Sequence, residues 1–431
     1  HHLPNPTDDA DADVPSDNPY ATRDENYFIP EWPIGRLPGG AGRDPALLLS
    51  AMRGIAAQHK PKRKKSDGPL RWMIEFLRRV LPQRAHTQSF GYSAEIWQKA
   101  AASVFTVIGE PRQMLTSPPV GSENKIPAPT AQLGYFNLHG LEDAAEWYGQ
   151  RAPNSNGDGS PTNLEFDFPV ALRPRDVVNG GRAPQVIFSE ACYGAHLFNR
   201  GVEESLALKF LNAGARAVVG STAVAYGSVT TPLNAADLLG KAFWEALQSG
   251  YPAGEALRRA KIHLASEMHN RQGYLDGEDQ KTLISFVLYG DPLAYAQDNS
   301  GFKNRKSRKD ITRYTTPPLN VKTICDRADN PGSSEPIPAE VMKHVKQVVK
   351  LYLPGMKGAH LALSHEHAGC CCEGHTCPSG QLGEKSRPNA EPQRSVVVLS
   401  KEIRHANRLH PAYARLTMDA QGKVVKLAVS R

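Results

Sequence analysis

Between residues 133 and 292 short apolar runs alternate with helical patterns, and this alternation narrows the fold more than any other feature of the chain. The apolar runs are LGYFNLHG (133–140), PQVIFSEAC (184–192), ARAVVGST (215–222) and TLISFVLYGDP (282–292). They lack the apolar/polar alternation of a half-exposed strand and read as strands buried on both faces. Between them, VEESLALKFLNAG (202–214), closed by Gly214, then NAADLLGKAFWEALQSG (234–250) and AGEALRRAKIHLASEMHN (253–270) carry helical periodicity. Strands separated by helices predict an α/β fold, a largely parallel sheet with helices on both faces in three layers.

The flanks read differently. Residues 1–30, including the acidic NPTDDADADVPSDNP, read as loop. Helices are predicted over 46–59, with Asp44 as cap and Pro45 in the first turn, over 70–81, stopped by Pro82, and over 93–105, running on towards a strand at VFTVIG. Residues 111–130 and the polar insertion 149–163 read as loops. A basic, Pro-rich linker covers 299–338. An amphipathic helix (339–353), a Cys/His cluster, a strand in RSVVVLSKEI and a hairpin over 412–430 follow. The expected division is an N-terminal subdomain (1–130), a central subdomain (131–298), the linker, and a small α+β C-terminal appendage (339–431).

Composition limits the partners. No apolar run reaches the length of a membrane span, so no membrane is expected. The net charge of +7 gathers in KPKRKKSDG (60–68) and KNRKSRKD (303–310). Neither lies on a recognisable nucleic-acid-binding pattern, so both read as solvated loops and no nucleic acid is expected. The six cysteines do not form the even scatter of a disulfide framework, which points to a reducing, cytoplasmic setting. The start at His1-His2-Leu3-Pro4 is abrupt, as in a fragment or processed product, and leaves secretion open. The Ala/Arg-rich helices suit a bacterial protein.

Two strand ends carry chemistry. In a parallel sheet the carboxyl ends of adjacent strands share one edge, where ligands bind. His139-Gly140 ends one predicted strand and Glu190-Ala191-Cys192 the next. A histidine that moves a proton and a thiol that attacks a carbonyl are the minimum set for thiolate catalysis. Gly140 allows close backbone approach, and the N–H groups of Gly140 and Cys192 are candidates for an oxyanion hole. Taken singly, a buried cysteine is more often packing than nucleophile, and a histidine before glycine is ordinary.

YFNLHG and VIFSEACYGA, with Trp147, AGARAVVGSTAVAYGS (213–228), FVLYGDPLAY (286–295) and SDNPYATRDENYFIPEWPIGRLP (16–38), resemble the caspase-like cysteine peptidases of clan CD, most closely the gingipain family. The resemblance spans residues 16–297. It implies a caspase-like fold, a strand preceding residue 1, and cysteine endopeptidase activity with His139 as general base and Cys192 as nucleophile. It also implies that Glu190, two residues before the nucleophile, binds a basic P1 side chain, since a partly desolvated carboxylate pairs well with Lys or Arg. Ser221 and Thr222 would form the opposite wall or merely cap their strand, and Trp147 would stand among the substrate-binding residues. Basic P1 preference would make the loops at 60–65 and 303–309 self-cleavage sites. Some gingipains orient the histidine with an additional acid, which has no assigned counterpart here.

The cluster HEHAGCCCEGHTC (365–377) offers Cys370, Cys372, His375 and Cys377 as zinc ligands, although its spacing departs from paired CxxC knuckles. Specific zinc binding, adventitious metal or redox chemistry, and a disordered loop all stand as readings of this cluster, and no cofactor is needed for thiol catalysis. The expected partner is a protein or peptide substrate, with a regulatory partner able to dock on the C-terminal region. Two rival readings stand beside the peptidase: a caspase-fold scaffold in a signalling or defence assembly, and a metal-binding interaction protein defined by 339–431.

Overall fold

The computed structural model describes residues 1–23, 27–59, 89–119, 131–152, 168–177, 183–296, 337–365, 394–405, 408–419 and 421–431. The predicted helix at 70–81, the insertion beyond residue 152, the linker up to residue 336 and the proposed zinc ligands lie outside these residues.

In chain order the elements are β1 (His2–Pro4), β2 (Asp13–Pro15), α1 (Ala46–His59), β3 (Ser89–Ala94), α2 (Gln98–Phe105), β4 (Leu115–Ser117), β5 (Leu133–Asn137), β6 (Trp147–Tyr148), β7 (Val170–Leu172), β8 (Val186–Ser189), α3 (Leu206–Asn212), β9 (Ala217–Ser221) and β10 (Tyr226–Gly227). Then come α4 (Ala235–Gln248), α5 (Ala253–Gln272), α6 (Gly277–Ser285), β11 (Phe286–Gly290), α7 (Ala339–Tyr352), β12 (His360–His365), β13 (Ser395–His405), β14 (Arg408–Met418) and β15 (Val424–Ser430).

A six-stranded sheet, ordered β11-β9-β8-β5-β3-β4, forms the centre. All its pairings are parallel except β9 with β11. Because side chains alternate across a strand, Tyr135, Phe188 and Val219 enter one apolar core with α2, α4 and α5. Phe136, Ile187 and Val218 enter another with α3 and the β6–β7 ribbon. This mixed α/β sheet, flanked by helices, is the architecture expected of the caspase-like fold.

Local readings needed correction where tertiary pairing won. Ser93 and Ala94, the expected start of a helix, instead end the strand Ser89–Ala94, because β3 fills the slot between β5 and β4 with Tyr92 opposite Phe136. The run at 282–292 is half helix: the Asp276 side chain accepts the Asp279 N–H and starts α6, so the strand begins only at Phe286. Residues 1–30 contain the β1–β2 pair, and His360–His365 adds a strand.

The second sheet is antiparallel and ordered β10-β15-β14-β13-β12. Residues 412–430 do form a hairpin, with α7 packed over the sheet through Val345. Its edge strand β10 belongs to the central segment, between β9 and α4, so the two regions share one ladder. Buried charges tie them further. Arg415, 1% exposed at the side chain, pairs with Asp8 and lies 2.8 Å from Glu278. Lys426 lies 2.6 Å from Asp276 and 3.1 Å from Asp279.

Candidate active site

Strands β5 and β8 are parallel neighbours with Phe136 opposite Ser189, and the Glu190 N–H donates to Phe136 O at 2.8 Å. The segments Leu138-His139-Gly140 and Glu190-Ala191-Cys192 therefore leave the same sheet edge side by side. A Cβ at Gly140 would lie 1.9 Å from the Cys192 carbonyl oxygen, so only glycine fits there. The chain folds back beyond it: His139 exchanges two 2.9 Å backbone hydrogen bonds with Tyr148.

Cys192 ends in a tight turn. Tyr193 has φ 54°, a left-handed conformation costly for a bulky residue. The turn is held by the Tyr193 N–H on Ala223 O (3.0 Å) and the Tyr193 hydroxyl on Asp11 (2.6 Å). Asp11 also accepts the Val224 N–H (2.8 Å) and pairs with buried Lys281 (2.5 Å). The acidic N-terminal segment thus braces loop 223–226, which faces the thiol.

The Cys192 side chain is buried. Its sulfur accepts the Ala225 N–H at 3.2 Å and lies 3.5 Å from Ala225 O. Burial pushes the thiol up to about 12, against the Ala225 backbone hydrogen bond. No described group accepts the N–H of Gly140 or of Cys192.

His139 is half-buried, with its ring 4.3 Å from Trp97 and 5.0 Å from Phe168. Its Nε2 lies 2.7 Å from Gln150 Oε1. An amide oxygen only accepts, so Nε2 carries the proton and Nδ1 the lone pair. Burial brings the imidazole down to about 3; the Gln150 hydrogen bond opposes this, and nearby His410 and Arg431 add to it.

Beneath these groups lies a charged pocket occupied by the chain's own Arg431. Its Nη2 donates to Asp237 and, at 2.8 Å, to Ser228 O; its Nε is 3.7 Å from Glu190 Oε2; its guanidinium lies 4.2 Å over the Trp97 ring. Asp237 further accepts the Ser228 N–H (2.6 Å) and the Asn137 amide (3.2 Å). Glu190 accepts the Tyr135 hydroxyl at 2.7 Å. A Cβ at Gly227 would meet Arg431 Nη2 at 2.2 Å, so this glycine opens the way for the guanidinium. Burial first, then the charge of Asp237, push the Glu190 carboxyl well above the usual range, with Arg431 opposing.

The sequence-named residues fall into three groups. His139, Gly140, Cys192 and Glu190 converge. Ser221 and Thr222 do not face the pocket: Ser221 donates to Ala223 O (3.0 Å), and Thr222 to Pro15 O (2.6 Å) and Ser285 O (3.2 Å). Their place opposite Glu190 is taken by Asp237 and the Ser228 main chain. Trp147 is buried in the core, 5.3 Å from Phe136 and 6.2 Å from Phe210, and offers no face to a substrate; Trp97 lines the pocket instead. Cys370, Cys372, His375 and Cys377 lie outside the described residues; among the described residues, no three His, Cys, Asp or Glu side chains gather as a metal site.

Sequence reasoning missed Trp97, Gln150, Asp237 and Arg431. Asp237 carried a signal: it is a lone acid on the apolar face of α4, with Ala236 and Leu239 buried beside it. The other three have no local mark.

Residues 156–296 match the model of peptidase family C25. The match encloses Glu190, Cys192 and Asp237 and leaves His139 and Arg431 outside. A solved structure described as "Structure of Protease" is similar at 11% identity and a TM-score of 0.39, covering 96% of this chain and 71% of that one. No curated protein matches. Through residues 156–296, about a third of its length, the chain is similar to peptidase family C25, a likeness that supports a cysteine-type peptidase.

Proposed function

We propose that the protein is a cysteine endopeptidase that cleaves after arginine or lysine, with Cys192 as nucleophile and His139 as base. The observation that carries this reading is the guanidinium of Arg431 bound by Asp237 and Glu190 in a pocket beside the thiol. His139 Nδ1 takes the thiol proton as Sγ attacks the P1 carbonyl carbon. The N–H groups of Gly140 and Cys192, both without an acceptor among the described residues, bind the oxyanion. The imidazolium then protonates the leaving amine, and water releases the acyl-enzyme. Gln150 holds the imidazole in the tautomer this needs.

One observation favours a second reading, a caspase-fold scaffold in which catalysis is secondary: the thiol is buried and neutral. One experiment separates the two. The chain, Cys192→Ala and His139→Ala are incubated at length with an Arg-directed acyloxymethyl ketone, alongside Arg431→Ala, and adducts are mapped by mass spectrometry. Label on Cys192 that is lost in both dyad variants is expected. Absence of label from the parent chain and from Arg431→Ala alike would favour the scaffold.

A further inference from the structure

Strand β15 is held on both edges. It pairs with β14 on one side and with β10 on the other, Ser430 opposite Tyr226 and Val429 opposite Gly227. The Arg431 N–H continues the second ladder by donating to Ala225 O at 3.0 Å. Residues 429–431 therefore run antiparallel to 225–227, the segment that begins at the thiol's own hydrogen-bond partner. Side chains alternate along the strand: Arg431 enters the acidic pocket, while the Ser430 hydroxyl accepts the Tyr413 N–H at 2.9 Å. An extended peptide with main-chain pairing and one side chain in a specific pocket is how a sheet edge binds a peptide by strand addition.

The guanidinium is only partly satisfied in the pocket. Here Arg431 Nε and Nη1 and Glu190 Oε2 are buried without a hydrogen-bond partner. The rest of the strand is fastened firmly, by Lys426 on Asp276 and Asp279 and by Asn234 on Leu427 O at 3.0 Å. A well-anchored strand thus delivers an imperfectly satisfied arginine to the pocket.

Resting on the peptidase reading, we propose that residues 424–431 are a built-in inhibitor that occupies the non-prime substrate subsites, with Arg431 in the P1 position. Arg431 and Cys192 are 2% and 4% exposed, so a substrate must displace this strand before it reaches the thiol. A site that is open only part of the time binds more weakly by the fraction open.

The test compares the rate of Cys192 labelling by an Arg-directed acyloxymethyl ketone in the parent chain, Arg431→Lys and Arg431→Ala. Labelling of Arg431→Ala at least about tenfold faster than the parent, with Arg431→Lys close to the parent, is expected from the lost competition. Should Arg431→Ala not fold, Arg431→Met keeps the aliphatic stem against Trp97 and carries the same comparison. Equal rates in parent and variant, with Cys192 labelled in both, would overturn the inhibitor and leave the peptidase standing. Failure of every protein to label, while Cys192 still reacts with iodoacetamide, would overturn the peptidase and the inhibitor with it. A synthetic peptide of the sequence 424–431 is expected to slow labelling of the Arg431→Ala protein; no slowing at saturating peptide would count against the subsite assignment.

Discussion

The Oε1 of Gln150 lies 2.7 Å from the Nε2 of His139. This contact fixes the imidazole from the side away from its free nitrogen and gives Gln150 the part of a positioning residue. Replacing Gln150 by Leu removes the acceptor and frees the ring. A fall in kcat of about 10²-fold with KM nearly constant is expected, the scale of a misplaced general base. Gln150→Glu sets a carboxylate beside the ring and raises the histidine pKa. The acid limb of the kcat–pH profile should then move to higher pH, which steady-state assays on a peptide ester would show. An unmoved profile would leave Gln150 a packing residue.

Asp237 and Glu190 are not equivalent. Burial and the neighbouring Asp237 raise the Glu190 carboxyl, and Asp237 is the carboxylate that Arg431 Nη2 contacts directly, Glu190 Oε2 lying 3.7 Å from Nε. Asp237→Asn should therefore lower kcat/KM for an Arg substrate by about 10²-fold, the loss expected when a buried charged partner is removed. Glu190→Gln, nearly isosteric, should cost about tenfold or less by comparison, since the Glu190 carboxyl makes the longer contact with the guanidinium. A reversed order would make Glu190 the principal partner of the guanidinium.

The site's ionisations set a pH window. His139 is depressed from 6.5 to about 3, so its stabilising contribution is present above 6.5 and lost as pH falls through 3. Cys192 is raised from 9.0 to about 12, so its contribution is present below 9.0 and lost as pH rises through 12. Thermal unfolding across this range should show a plateau between the two limits. In His139→Gln the loss of Tm between neutral pH and the acid limb should shrink, and an identical acid limb would assign the lability to other groups.

Lys426 fastens β15 to the start of α6. Lys426→Met leaves Asp276 and Asp279 buried without their cation, and breaking a buried pair from one side costs about 3–5 kcal/mol. Chemical denaturation should show the midpoint fall accordingly. A change below about 1 kcal/mol, the scale of an exposed pair, would mean that water reaches the pair in solution.

Much of the centre was legible because its signals are local. Continuous apolar runs around Tyr135, Phe188 and Val219 announce buried parallel strands, and the side-by-side exit of His139 and Cys192 follows from parallel pairing alone. β3 was misread because Ser89–Ala94 is short and borders Trp97 and α2, so propensity could not reveal the empty slot between β5 and β4. Ser221 and Thr222 were misplaced for a related reason. A hydroxyl at a strand end looks alike whether it faces a pocket or closes its own turn, and only the backbone oxygens of Ala223, Pro15 and Ser285 decide between them.

The sequence by itself determined the central strands and brought the segments of His139 and of Cys192, with Glu190, to one edge of the sheet, because each depends on the order and periodicity of neighbouring residues. Only the tertiary structure decided what fills that edge. Asp237, Gln150, Trp97 and Arg431 come from a helix, a ribbon end, a turn and a strand of the second sheet. Their convergence depends on which strand edge is left unpaired and which buried charges must find partners, and these are properties of the packed chain rather than of any stretch of it.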